Sequence, residues 1–371
     1  LQAVAERLTQ CVKPGDTVAR LSGDEFSIIL SKLSQKQEAD EIAQHMVRRL
    51  SEPYRLNDQE VRIQTSIGIT FYPEDDCPLD QLLNHADIAM RRAKEYSGSH
   101  YEFYSAQLDA LIAEQQLLEA KLNGALERGE FELYYQPQVN LVTKRIIGVE
   151  ALLRWNNPEL GLVYPGQFIS IAEATGLIVP IGEWVLRTAC IQAQIWQENS
   201  PFPMRVSVNL SGRQFKEQNL LATIANILSQ TNLNPDLLVL ELTETSIMED
   251  LENTISTLEK LKAMGVQVSI DDFGIGYSSL NYLKRLPLDT LKIDQSFIRN
   301  IATDSNDAAI STAIIAMAQS LKLKVIAEGV ETEEQLNFLR KHGCHGMQGF
   351  FFSHPIPAAE LDKMLAEDKR L

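Results

Sequence analysis

Three apolar stretches of this chain each break into carboxylates: Leu238-Val239-Leu240-Glu241, Val266-Gln267-Val268-Ser269-Ile270-Asp271-Asp272 and Val325-Ile326-Ala327-Glu328. A short apolar run bounded by turn signals reads as a buried strand. A charge at its end is costly unless it is paired or holds a cation. Glu150, Asn209, Lys292 and Gln348 also fall at or near the ends of expected strands. Carboxylates and an amide oxygen, with neither His nor Cys among them, form a hard oxygen site. Such a site suits two Mg²⁺ or Mn²⁺ ions better than zinc. Two such ions clamp the attacking and leaving oxygens of a phosphoester displacement. A lysine in the same cluster can offset charge or position water.

Bringing these residues together requires a scaffold whose strand ends converge. Strands are expected at 131–136, 146–153, 205–210, 237–242, 266–272, 289–294, 324–329 and 346–352. Helical patterns fill most gaps, notably 182–198, 250–264, 306–321 and 332–342. Eight strands with intervening helices across 130–371 match the size of an α/β (β/α)₈ TIM-like barrel, in which strand C-termini share one mouth. A helix precedes the first strand and leaves its direction in the sheet open. An open doubly wound sheet is the alternative, but no Gly-rich phosphate fingerprint opens the region. Residues 1–104 read as a separate partial α/β domain. It has a helix at 3–11, two strands around the Ser22-Gly23-Asp24-Glu25 turn, a helix at 37–50, a strand over 61–71 interrupted by Gly68, and a helix at 79–94. Leu108, Leu111, Leu118, Leu122 and Leu126 lie near helical spacing, which makes 105–129 a helical connector.

The net charge of −16 makes nucleic acid polymers poor partners. Cys11, Cys77, Cys190 and Cys344 show no metal or redox spacing, consistent with reduced thiols in a cytoplasmic protein. No apolar run is long enough to span a bilayer. The chain opens on Leu1 with a helical pattern already under way, which reads as the tail of a larger polypeptide with room for an upstream sensor or membrane module.

The ordered motifs resemble a family. EALLRW at 150–155 resembles the signature of EAL-domain cyclic-di-GMP phosphodiesterases. YYQPQVN (134–140), SVNLS (207–211), ELTET (241–245), DDFGIGYSSL (271–280), LKID (291–294), AEGVE (327–331) and MQGFFFSHPI (347–356) follow in the family's order, and the resemblance begins near residue 115. It implies metal-dependent hydrolysis of cyclic-di-GMP to linear pGpG in bacterial second-messenger signalling. Glu150, Asn209, Glu241, Asp271 and Asp272 would hold two Mg²⁺ or Mn²⁺ ions, with Asp271 as the bridge. Ca²⁺ would inhibit. Glu328 would act as ligand or general base, and Lys292 would orient the water or stabilise charge. Gln136, Arg154 and Gln348 would contact the dinucleotide, Glu331 would support the site, and Glu244 would anchor the loop after Asp272. The resemblance also implies a homodimer through the EAL domain. Asn140 and His354 depart from common family residues at positions outside the metal set.

The first hundred residues resemble the GGDEF diguanylate cyclases through RLSGDEF (20–26), TSIGITFYP (65–73) and ADIAMRRAK (86–94). Ser22 replaces the signature's first Gly, and the family's earlier half is absent. Lys13 stands where its inhibitory RxxD motif has Arg, and Lys cannot make the bidentate guanine contact of Arg.

Taken singly, each site residue has a plainer explanation. Glu328 could cap a helix, Lys292 and Asp294 could form a surface pair, and Asp271-Asp272 could be a turn. The ordered set argues against all three. The six histidines form no ligand pattern. A cyclic-di-GMP receptor that binds without hydrolysis is the competing function; such receptors usually lack part of the metal set, which is complete here.

Overall fold

Along 146–157 the residues Val149, Ala151, Leu153 and Trp155 join one continuous hydrophobic core, while Glu150, Leu152 and Arg154 share the opposite face. That alternation is the local logic of a barrel wall. The computed structural model describes residues 1–371 except 32, 57–58, 76–77, 95, 97, 200–202, 249 and 276–279. The chain divides into two compact units, Leu1–Leu117 and Leu118–Leu371, with the division inside the helix Ala106–Leu122.

The first unit contains β1 (Thr17–Ser22), β2 (Glu25–Ile29), β3 (Tyr54–Leu56), β4 (Gln59–Val61), β5 (Ser66–Ile69) and β6 (His100–Phe103). β1–β2 and β3–β4 are antiparallel hairpins, and β5 pairs parallel with β6. The helices Gln2–Gln10, Lys36–Ser51 and Leu79–Lys94 lie where the apolar spacing places them. The strand expected over 61–71 is two strands. Its break falls at 62–65 rather than at Gly68, which lies inside β5. A Cβ there would sit 1.9 Å from the Ala86 carbonyl oxygen, so Gly68 lets the helix Leu79–Lys94 pack tightly on β5.

The second unit is a closed barrel of eight strands: β7 (Phe131–Asn140), β8 (Ile146–Asn157), β10 (Arg205–Asn209), β11 (Leu238–Thr243), β12 (Gln267–Phe273), β13 (Thr290–Ile293), β14 (Lys324–Ala327) and β15 (Gly346–Met347). Neighbours from β8 to β15 pair parallel. β7 closes the barrel antiparallel to both β8 and β15, which settles the direction the sequence left open. Two short strands extend the sheet: β9 (Gly161–Val163) on β8 and β16 (Ile356–Pro357) on β7.

Side-chain caps set several helix starts. Asp250, Asp294, Asp304 and Thr332 each accept a backbone N–H of the helix they precede. The cap before the helix Glu333–Lys341 is thus Thr332 and not Glu328. Among the described residues no helix is long and apolar enough to cross a membrane.

Candidate active site

Parallel register brings the strand-end carboxylates to one level. Asn209 is beside Glu241, and Thr243 beside Asp271; Lys292 is beside Ile326, and Ile293 beside Ala327. β12 departs from regular pairing between Ile270 and Phe273, and Asp272 there has φ of 53°. A regular strand would send Asp271 and Asp272 to opposite faces. The irregular register and the left-handed residue turn both carboxylates toward one cluster, at a conformational cost of roughly 1–3 kcal/mol.

Lys292 is the hub. Its Nζ lies 2.6 Å from Glu241, 2.6 Å from Glu328, 3.1 Å from Glu150 and 3.2 Å from Asp271, and its side chain has no exposure. The plainer alternative, a surface pair with Asp294, is therefore not what forms. Lys292 is buried among four other carboxylates, and Asp294 is buried too, capping the helix Gln295–Arg299. Burial opposes the ammonium, but Asp271, Glu150, Glu241 and Glu328 outweigh it and raise its pKa well above the ordinary value.

One ammonium does not balance the set. Burial, with Glu150 and Asp271 as neighbours, pushes Glu241 up to about 8. Burial with Asp271 and Asp294 pushes Asp272 up to about 6. Asp271 and Glu328 are also raised, first by burial. For Glu150, burial is outweighed by Lys292 and by hydrogen bonds from Gln348 and Asn209, so its carboxyl sits below the usual range. Carboxylate oxygens of Glu150, Glu241 and Asp271 lie within 4.8 Å of one another, and so do those of Asp271, Asp272 and Glu328. Asp271 is common to both groups. All donors are hard oxygens in a net negative place that is buried at Glu150, Glu241 and Asp271 and half-buried at Asp272 and Glu328, so the residues fit divalent cations.

A ladder of amides extends from this cluster across the barrel closure. Gln348 Nε2 donates to Glu150 at 2.7 Å and to Gln136 at 2.9 Å. Gln138 Nε2 donates to Gln348 Oε1 at 3.1 Å, and Gln136 Nε2 to the Ser353 carbonyl at 3.2 Å. Sequence reasoning does not single out Gln138, although it alternates with Gln136 on the same strand face. Asn209 donates to Glu150 at 2.6 Å. Glu244 accepts the Gly274 N–H at 3.1 Å, and its other oxygen is buried with no hydrogen-bond partner among the described residues. Gly274 has φ of 106°, and a Cβ would meet the Phe297 ring at 2.7 Å. Glu331 is not brought into the cluster: it is exposed, and its backbone N–H bonds to Gln335. Arg154 lies further along β8, between the rings of Tyr134 and Tyr164. The sequence pointed to neither ring. Residues 276–279 of the loop after Asp272 lie outside the described residues.

Residues 119–355 match the EAL domain family, and residues 1–100 match the diguanylate cyclase, GGDEF domain family. The chain belongs to the EAL domain family. It is 47% identical over 358 residues to the bifunctional diguanylate cyclase/cyclic di-GMP phosphodiesterase MucR of Pseudomonas aeruginosa, covering 96% of this chain and 52% of that protein. It is 36% identical over 363 residues to the cyclic di-GMP phosphodiesterase PdeR of Escherichia coli, covering 98% of this chain and 54% of that one. The chain thus spans about half the length of these relatives. Among solved structures, the PaMucR phosphodiesterase in its c-di-GMP complex aligns with a TM-score of 0.65 at 51% identity, covering 66% of this chain and 99% of that one. The EAL barrel of this chain, with β7 reversed, is the scaffold that carries the Lys292 cluster.

Proposed function

We propose that this EAL domain hydrolyses one phosphodiester of cyclic-di-GMP to linear pGpG, with two Mg²⁺ or Mn²⁺ ions in the acidic cluster. The observation that carries this reading is the pair of carboxylate groups sharing Asp271 around a fully buried lysine. Its support from the relatives is that proteins named as cyclic di-GMP phosphodiesterases are similar to nearly the whole chain.

Glu150, Asn209, Glu241, Asp271 and Asp272 are the proposed metal-holding residues. When bound, the ions supply charge neutralisation and a nucleophilic water at neutral pH. Lys292 keeps the carboxylates together and offsets charge at the reacting phosphate. Glu328 takes the proton of the attacking water or contributes an oxygen ligand. The water oxygen bonds to phosphorus, the bond to the ribose 3′ oxygen breaks, and that oxygen gains a proton. Gln136, Gln348 and Arg154 hold the dinucleotide, while Glu244 supports the loop after Asp272. Pairing of two EAL domains belongs to the same proposal, and sedimentation tests it. Incubating purified protein with cyclic-di-GMP and Mg²⁺ or Mn²⁺, with product read by chromatography, tests the reaction. Accumulation of pGpG supports it, and intact substrate contradicts it.

A further inference from the structure

Arg154 is a buried cation whose acidic neighbours, Glu132 across the strand pair and Glu150 along its own strand, favour its charge without forming a salt bridge to it. Its relative exposure is 7%. Among the described residues it forms no ion pair, and its one hydrogen bond runs from Nη1 to the neighbouring Leu153 carbonyl at 2.8 Å. A guanidinium has five N–H donors in a planar fork. Burying it with so few acceptors is costly, and a ligand that brings acceptors relieves the cost.

Aromatic rings hold this guanidinium instead. Its Cζ is 5.2 Å from the Tyr134 ring centroid and 5.4 Å from that of Tyr164, both within cation–π range. Strand register builds the arrangement. Glu132 pairs with Arg154 and Tyr134 with Leu152, so Tyr134 is the diagonal neighbour of Arg154 on the same face. On the other side β9 pairs Val163 with Trp155, and the next step of that register sets Tyr164 opposite Arg154. The Tyr164 backbone is fixed: its N–H donates to Gln167 Oε1 at 3.2 Å, its carbonyl accepts the Gln167 N–H at 3.0 Å, and Pro165 begins the helix. Yet Tyr164 remains 56% exposed. An aromatic residue with a pinned backbone, packed beside a buried cation and still open to solvent, has surface left for a planar ligand.

Its distance from the carboxylates limits what that ligand group can be. Glu150, Leu152 and Arg154 share one face of β8, and four residues of extended strand span about 13 Å. A phosphodiester at the Glu150 cluster therefore places a base of its own nucleotide or the next within reach of Tyr164.

We propose that Tyr164 is a positioning and specificity-determining residue of the substrate cleft. It holds the Arg154 guanidinium together with Tyr134, and its exposed surface stacks on a guanine base of cyclic-di-GMP. This inference rests on the function proposed above. Base–aromatic stacking is lost on truncation to alanine, so Tyr164→Ala should raise the Kd for cyclic-di-GMP, measured by calorimetry in Ca²⁺, by roughly 5- to 100-fold. KM in Mn²⁺ should rise in parallel, with kcat changing much less. Tyr164→Phe keeps the ring and should return both constants to within about threefold of wild type. Thermal midpoints of all three proteins serve as the fold control. Wild-type Kd and KM in Tyr164→Ala would overturn the inference. So would a joint fall of kcat, affinity and midpoint that Phe does not rescue, since that is the signature of a structural role alone. Wild-type protein that neither binds nor cleaves cyclic-di-GMP would overturn the proposed function itself, a result distinguishable from either of these.

Discussion

Lys292 Nζ lies 2.6 Å from Glu241 Oε2, and neither side chain is more than 1% exposed. Removing one partner of a buried pair leaves an uncompensated charge, which typically costs about 3–5 kcal/mol. Lys292→Met should therefore lower the thermal midpoint in EDTA. Divalent metal should restore part of that midpoint by replacing the missing positive charge. Turnover should stay low, because a lysine ammonium is not a metal ligand and metal cannot take over its place at the phosphate. A variant with wild-type melting and wild-type rate would remove Lys292 from the account.

Glu150 tests the metal set with little change in shape. Its two oxygens accept from Asn209, Lys292 and Gln348. Glu150→Gln removes a charge and almost no volume, so the fold should persist by circular dichroism. Cleavage should fall by more than the roughly 10–100-fold that loss of an outer partner of a metal ligand costs. Undiminished pGpG formation would contradict the assignment.

Metal binding should depend on pH with a defined sign. Glu241 is raised to about 8 and Asp272 to about 6, both first by burial. A raised carboxyl holds its proton more tightly in the folded than in the unfolded chain. Its stability contribution is complete below the unfolded value and is lost as pH rises through the folded one. Metal-free protein should therefore lose midpoint as pH climbs from the ordinary carboxylate range, about 4, up to about 6 for Asp272 and about 8 for Glu241. Metal should restore it, with affinity that weakens and proton release that grows as pH falls across the same range. Differential scanning calorimetry with and without Mn²⁺ reads the first effect, and titration calorimetry in two buffers reads the second. A metal affinity independent of pH would count against these carboxylates as ligands.

Glu130 gives the opposite sign at a place away from the metal cluster. Its carboxylate accepts from Arg128 at 2.5 Å, Trp155 at 2.8 Å and Asn157 at 3.2 Å, and these donors, Arg128 first, hold it down to about 2. A depressed carboxyl contributes stability above the unfolded value and loses it as pH falls toward the folded one. Glu130→Gln should cost roughly 1–3 kcal/mol at pH 7. The gap to wild type should narrow between about pH 4.5 and 2. A gap that does not change with pH would show that the loss is packing rather than charge.

The barrel was legible because most of its strands are apolar runs bounded by turn signals, and because such runs recur with helices between them. The direction of β7 was not legible: its alternation reads the same either way, and its closing partner Met347 lies on β15, far along the chain. The short, half-buried β6 escaped notice for lack of a clear pattern. Residue types singled out the carboxylates and Lys292, but not that Lys292 sits fully buried at their centre. Nor could they reveal the irregular register that turns Asp271 and Asp272 to one side, since strand periodicity alone separates adjacent residues. The Arg154 sandwich depends on pairing between β7, β8 and β9 and has no local signal. Glu331 shows the converse: a family motif points to it, and the structure leaves it exposed.

The most direct measurement strips the protein with EDTA and follows cyclic-di-GMP by chromatography as Mn²⁺ or Ca²⁺ is added back, with binding read in parallel by calorimetry. Ca²⁺ prefers more ligands and looser geometry than the smaller ion. No product should form in EDTA, pGpG should form in proportion to added Mn²⁺, and the dinucleotide should stay bound but uncleaved in Ca²⁺. Product that forms equally well without metal, or tight binding with no cleavage in Mn²⁺, would contradict metal-dependent hydrolysis.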